Sequence, residues 1–280
     1  MLVFRDITTF QEWRSSLPLS RTVALVPTMG ALHDGHAKLI GQSADQTDEI
    51  LVTIFVNRIQ FTQESDFANY PRTLDDDLRV CNAAGATAVL VPDDSELAPL
   101  LAATPIAAGD LGARFEGVDR PGHFDGVLTV VNQLFALTRP HRARFGEKDR
   151  QQLLIISRWA EDAWPDVLIE PGRTVREMDG LALSSRNRRL GTAARLQAAS
   201  LSASLRTIQK AFASGVSSSS DLEALGRRTI ASQCEIHYLA IIDPTTLDQT
   251  TVATDDSIAL VAASVDGVRL IDNCRLGGAE

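Results

Sequence analysis

Two periodicities alternate along this chain. The short apolar run at residues 23–26 predicts a strand covered on both faces, and the largely apolar stretches 49–56 and 86–91 predict a second buried strand and a third strand. Between them, apolar positions recur at helical spacing. Residues 8–17 read as a helix, with Thr8 as N-cap and Phe10, Trp13 and Leu17 on one face. A second helix runs from the His33–His36 turn to about residue 44, and a third opens at Asp75, Asp76 and Asp77 and ends before Gly85. Strand, helix, strand in this order predicts a right-handed βαβ unit and a doubly wound parallel α/β sheet. Residues 127–137 and 151–164 read as helices, and 143–145 and 167–170 as strands. Pro27 is expected to end the first strand, since it has no N–H to give a ladder. Residues 93–117 are weakly patterned, and 120–124 read as a polar, flexible loop.

From about residue 175 the character changes. Helices are expected at 192–213 and 221–232, with 215–220 (GVSSSS) as a flexible joint. Strands at 236–242, 258–263 and 268–272 complete a smaller C-terminal α+β domain. The boundaries read as 1–174 and 175–280.

Composition narrows the function classes. With 280 residues the chain can bury two cores. The net charge of −9 argues against a general nucleic-acid binder, though not against a local basic pocket. No apolar run approaches the roughly 20 residues of a membrane span. The first residues carry no basic-then-apolar leader, and three scattered cysteines form neither a disulfide framework nor a zinc site. A cytoplasmic location follows as the expectation.

Chemistry concentrates at predicted strand ends. His33 and His36 in HDGH follow the first strand and a PTMG turn, where Gly30 permits the bend. A helix N-terminus with two imidazoles suits an ATP phosphate chain. Asn57 and Gln60, after the second strand, sit where a small polar substrate would be held. Asp75, Asp76 and Asp77 admit two readings: a helix dipole complement, or a magnesium site. Lys148, beside Gly146 at a strand end, can reach a phosphate oxygen, and Gln152 opens the next helix facing the pocket. Ser184, Ser185 and Arg186 offer hydroxyls and a guanidinium to a phosphate chain.

The motifs PTMGALHDGH, FVNxxQF, YPRT, RPGHFxGV, FGEKDxQQ, DGLALSSRN and LIDN stand in this order. The chain resembles the pantoate–β-alanine ligases, within the HxGH nucleotidylyltransferases, from end to end. The resemblance implies a Rossmann-like domain lidded by the smaller one. It also implies ATP-dependent joining of pantoate to β-alanine through a pantoyl adenylate, with Mg2+, in a homodimer. It implies catalytic roles for His33, His36, Lys148 and Arg186, and ATP contacts at Met29, Gly30, Gly146, Glu147, Asp149, Val175, Leu183, Ser184 and Ser185. Gln60 and Gln152 would grip pantoate, with Asn57 and Met29 beside them, and Asp77 would be linked to the metal. Arg58 stands where the family usually has proline, and Arg150 where an aromatic is common.

Overall fold

Parallel pairing organises the first part of the computed structural model, which describes residues 1–44 and 47–278. The chain opens with β1 (Leu2–Phe4) and α1 (Ile7–Ser16), followed by β2 (Val23–Thr28), α2 (Asp34–Ser43) and β3 (Glu49–Ile54). A 3-10 turn at Arg58–Gln60 leads to α3 (Glu64–Ala68), α4 (Leu74–Ala83) and β4 (Ala88–Leu90). Next come α5 (Asp94–Ala103), α6 (Gly109–Gly112), α7 (Glu116–Asp119) and the long α8 (His123–Thr138). Then β5 (Arg142–Gly146), a 3-10 turn at Glu147–Asp149, α9 (Arg150–Ala163) and β6 (Leu168–Gly172) follow.

The six strands lie in the order β1-β4-β3-β2-β5-β6, all parallel. Val26, Ile50, Val52 and Val89 share a core with Ile40 of α2 and Cys81 of α4. The alternate residues Leu25 and Leu51 are fully buried too, and α8 packs on β2. Both faces of the sheet are therefore covered, which is why these strands are largely apolar rather than alternating. The chain moves outward from β2 through β3 to β4, then returns to place β5 on the other side of β2. That reversal is a topological switch point, where α/β sheets bind ligands.

The structure corrects several expectations. Pro27 lies inside β2, not after it. Odd residues of β2 face β5: Val23 exchanges hydrogen bonds with His141. Even residues face β3, as Thr28 O accepts from Phe55 N–H. Pro27 thus turns its missing N–H toward β5, past the last paired residues, Leu25 and Ala143. The cap of α1 is Asp6, whose carboxylate accepts from Thr9 N–H at 2.8 Å, and not Thr8. The 120–124 segment is no flexible loop, for His123 and Phe124 are buried in the first turn of α8.

The chain divides into two compact units: Met1–Glu147 with Ile155–Arg173, and Lys148–Leu154 with the described residues from Thr174 on. In the second unit, α10 (Thr192–Ala213) and α11 (Ser219–Thr229) precede β7 (Glu235–Ile242), β8 (Ile258–Val265) and β9 (Val268–Arg275). The three strands form an antiparallel sheet in the order β7-β8-β9. Leu201, Leu205, Ile208 and Leu222 of the helices meet Leu239, Val261 and Leu270 of the sheet in one core. The GVSSSS stretch is ordered, not a joint. Ser218 caps α11, Ser219 is buried, and the neighbouring backbone bonds Thr251 and Ala253. The three cysteines are buried, and no described helix is long and apolar enough to cross a membrane.

Candidate active site

In the first unit the site is built on the ends of β2 and β3. After β2 the chain bends through Gly30 (φ 81°) and Ala31 (φ 52°), two consecutive left-handed residues. The second is costly for a residue with a Cβ. Asp77 of α4 offsets that cost from the side. Its carboxylate, buried and only 1% exposed, accepts from Ala31 N–H at 3.0 Å and Leu32 N–H at 2.8 Å. Thr73 Oγ1 donates to it at 3.1 Å. Thr28 Oγ1 accepts from Gly30 N–H at 3.2 Å and completes the turn.

The turn delivers His33 as the N-cap of α2. His33 Nδ1 accepts from Gly35 N–H at 3.2 Å, and His36 Nδ1 accepts from His33 N–H at 3.3 Å. The two imidazoles thus act as a reciprocal capping box, with ring centroids 4.1 Å apart. An Nδ1 that accepts carries no proton. Each neutral ring therefore holds its proton on Nε2, the edge turned away from its own cap.

Beside this, the 3-10 turn after β3 presents Gln60. Asn57 Nδ2 donates to Gln60 Oε1 at 2.9 Å and to Gly126 O at 3.0 Å. Gln60 Nε2 then points at Met29 Sδ, 3.0 Å away. Asn57 is buried at 1% exposure, so it positions Gln60 from beneath. Its Oδ1 has no hydrogen-bond partner among the described residues. His123 Nδ1 lies 2.7 Å from the Gln60 carbonyl, which can only accept, so that nitrogen carries the proton. Gly126 lets α8 approach. A Cβ there would lie 2.6 Å from Ile59 O and 2.8 Å from Gln60 N. His123 and Gly126 escaped the sequence reading, although RPGHFxGV contained both. Arg58 makes an ion pair with Glu64, donates to Phe61 O at 3.3 Å and sits 5.1 Å above the Phe67 ring. Gly146 ends β5 and Glu147 follows it, across the switch point from β2.

The second unit holds the other candidates. Lys148, Asp149 and Gln152 belong to it, with Val175, Leu183, Ser184, Ser185 and Arg186. Residues 175–183 form a narrow turn, closed by Leu183 N–H on Val175 O and Glu177 N–H on Leu181 O, each 2.9 Å. Ser184 Oγ accepts from Arg186 N–H at 3.3 Å and caps the 3-10 turn Ser185–Arg189. Beneath the turn, Arg176 grips Asp272 with both terminal guanidinium nitrogens, Nη1 and Nη2, at 2.6 and 3.2 Å. Burial pushes the Asp272 carboxyl above its ordinary range, against the downward pull of Arg176.

Among the described residues, no group of three or more His, Cys, Asp or Glu side chains converges as a metal site. Asp77 fits a metal poorly, because two backbone N–H groups and a hydroxyl already point at its oxygens. Of the other two acidic residues at the start of α4, Asp76 pairs with Arg79 on the exposed face.

A family model described as pantoate-beta-alanine ligase matches residues 2–275. The chain belongs to the pantoate–β-alanine ligase family. A pantothenate synthetase from Acidothermus cellulolyticus is 44% identical across 100% of this chain and 93% of its own length. One from Roseiflexus sp. is 42% identical across 97% and 99%. The crystal structure of pantothenate synthetase from Thermus thermophilus superposes with a TM-score of 0.94 at 36% identity, over 99% of this chain and 100% of that one. The pantoate-beta-alanine ligase from Francisella tularensis, complexed with β-γ ATP and β-alanine, superposes with a TM-score of 0.84 at 30% identity over 100% and 99%. As a ligase of this family, the chain carries the parallel α/β sheet and small antiparallel domain of its relatives.

Proposed function

We propose that the chain joins pantoate to β-alanine at the expense of ATP, through a pantoyl adenylate. The pantoate carboxylate attacks the α-phosphorus and pyrophosphate leaves. The β-alanine amine then attacks the acyl carbon, and AMP departs with the bridging oxygen. The observation that carries this reading is the pairing, at one sheet edge, of an imidazole-capped helix N-terminus with an amide cluster. The first suits a polyphosphate; the second suits a hydroxy acid.

His33 and His36 would offer Nε2–H to the phosphates, where negative charge gathers as pyrophosphate leaves. Gln60, aimed by Asn57 and His123, would hold pantoate against Met29, and Gln152 would be the second amide of that grip. Lys148 and Arg186 would neutralise the leaving pyrophosphate. Gly30, Gly146, Glu147, Asp149, Val175, Leu183, Ser184 and Ser185 would line the nucleotide's path by backbone and hydroxyl contacts. The first unit would bind nucleotide and pantoate, and the second would act as a lid, shielding the adenylate from water. Magnesium would come with the ATP phosphates, not through Asp77. A homodimer in the cytoplasm completes the proposal. The test supplies ATP, pantoate, β-alanine and magnesium and follows products. AMP, pyrophosphate and pantothenate should form in equal amounts. Formation of ADP, or turnover with another acid in place of pantoate, would overturn the reading.

A further inference from the structure

We propose that Asn273 on β9 is a positioning residue for Lys148. The inference rests on the proposed role of the Lys148 ammonium. Lys148 sits in the three-residue 3-10 turn Glu147–Asp149, between the end of β5 and the start of α9. Asn273 Nδ2 donates to the Lys148 carbonyl at 3.0 Å, a bond between residues 125 positions apart. Asn273 is itself immobilised. Its position on β9 faces Leu260 of β8 in the antiparallel ladder, and it is buried.

The same residue also supports the phosphate-loop candidates. Asn273 N–H donates to Asp272 Oδ1 at 2.8 Å, and Asn273 O accepts from Arg176 Nη2 at 3.3 Å. Arg176 clamps Asp272 and donates to Gly180 O at 3.3 Å. One network, centred on the buried Asp272 and Asn273, therefore ties the backbone of Lys148 to the base of the turn that leads into Ser184–Arg186. Two groups proposed to meet one phosphate chain would share a single anchor. Hydrogen bonds made by a buried side chain such as Asn273 are costly to break, because its polar atoms have little water to turn to.

The test is a double-mutant cycle in pantoate-dependent ATP–pyrophosphate exchange. Asn273→Asp keeps the size and shape of the side chain but removes the donor. It should slow exchange by about 10- to 100-fold, the cost of displacing an otherwise intact group. In a Lys148→Ala background the same change should alter the rate less than about twofold, because the group being positioned is gone. Asn273→Ala should repeat both results if it folds, as checked by circular dichroism. Losses that multiply in the double variant, or a wild-type rate in Asn273→Asp, would overturn the proposal. A wild-type rate in Lys148→Ala alone would instead remove Lys148 from the chemistry.

Discussion

Asp77 decides between two readings that lead to opposite experiments. If it braces the turn before α2, its removal unmakes that turn. Asp77→Ala strips the acceptor from two buried backbone donors, Ala31 N–H and Leu32 N–H, and from the Thr73 hydroxyl. Each buried donor left without a partner costs about 1–3 kcal/mol, so the backbone pair alone should cost about 2–6 kcal/mol. Asp77→Asn keeps one acceptor and aims an NH2 at the other N–H, which should cost about 1–3 kcal/mol. The left-handed Ala31 would lose the contact that holds it, and His33 and His36 would lose their aim with it. Urea unfolding should therefore show a lower midpoint for Asp77→Asn, and exchange activity should fall. The magnesium concentration giving half-maximal exchange should stay at its wild-type value. If Asp77 instead carried the metal, unfolding would be unchanged and that magnesium requirement would rise sharply. The latter pattern would refute the brace.

Gly126→Ala should push a methyl into Ile59 O and Gln60 N, an overpacking cost of about 1–3 kcal/mol. Its signature should be a raised KM for pantoate with the KM for ATP little changed, read from steady-state kinetics. His36→Ala should lower exchange about 100- to 1,000-fold, the cost of losing one donor at developing charge; a near-wild-type rate would exclude it. Asp243 accepts from Thr245 N–H, Thr245 Oγ1 and Thr246 N–H, with the Thr245 hydroxyl the largest cause of a carboxyl pKa below the ordinary 3.8. A depressed carboxyl adds stability in full above its unfolded value, and the gain is lost as pH falls through the folded value. The Tm gap between wild type and Asp243→Asn should thus be constant at neutral pH and narrow only below 3.8.

The buried parallel strands were legible because covering both faces leaves a largely apolar stretch, as in β2 and β3. The edge strand β1 was not, since its apolar stretch Leu2–Phe4 is only three residues long and keeps much of its surface in water. Helix α5 was hidden by Pro99 in its interior, although Asp93 caps it by accepting from Ser95 N–H. Low-complexity GVSSSS looked like a joint, but its serines are used as a cap and a buried anchor. At the site, the chemistry-bearing residues stood in local motifs: two histidines three apart, a lysine at a strand end. What those motifs could not disclose was support from a distance. Asp77 reaches back 46 and 45 residues to Ala31 and Leu32 of the turn, and His123 reaches Gln60 across 63. Such contacts depend on the pairing of whole elements, which no local spacing encodes.

The central claim is that a carboxylate is joined to the α-phosphorus before the amine arrives. Pantoate labelled with 18O at both carboxylate oxygens tests this in one turnover mixture, read by mass spectrometry of the AMP. Attack at the α-phosphorus predicts one 18O in every AMP released. AMP without label, or label in orthophosphate, would contradict the account.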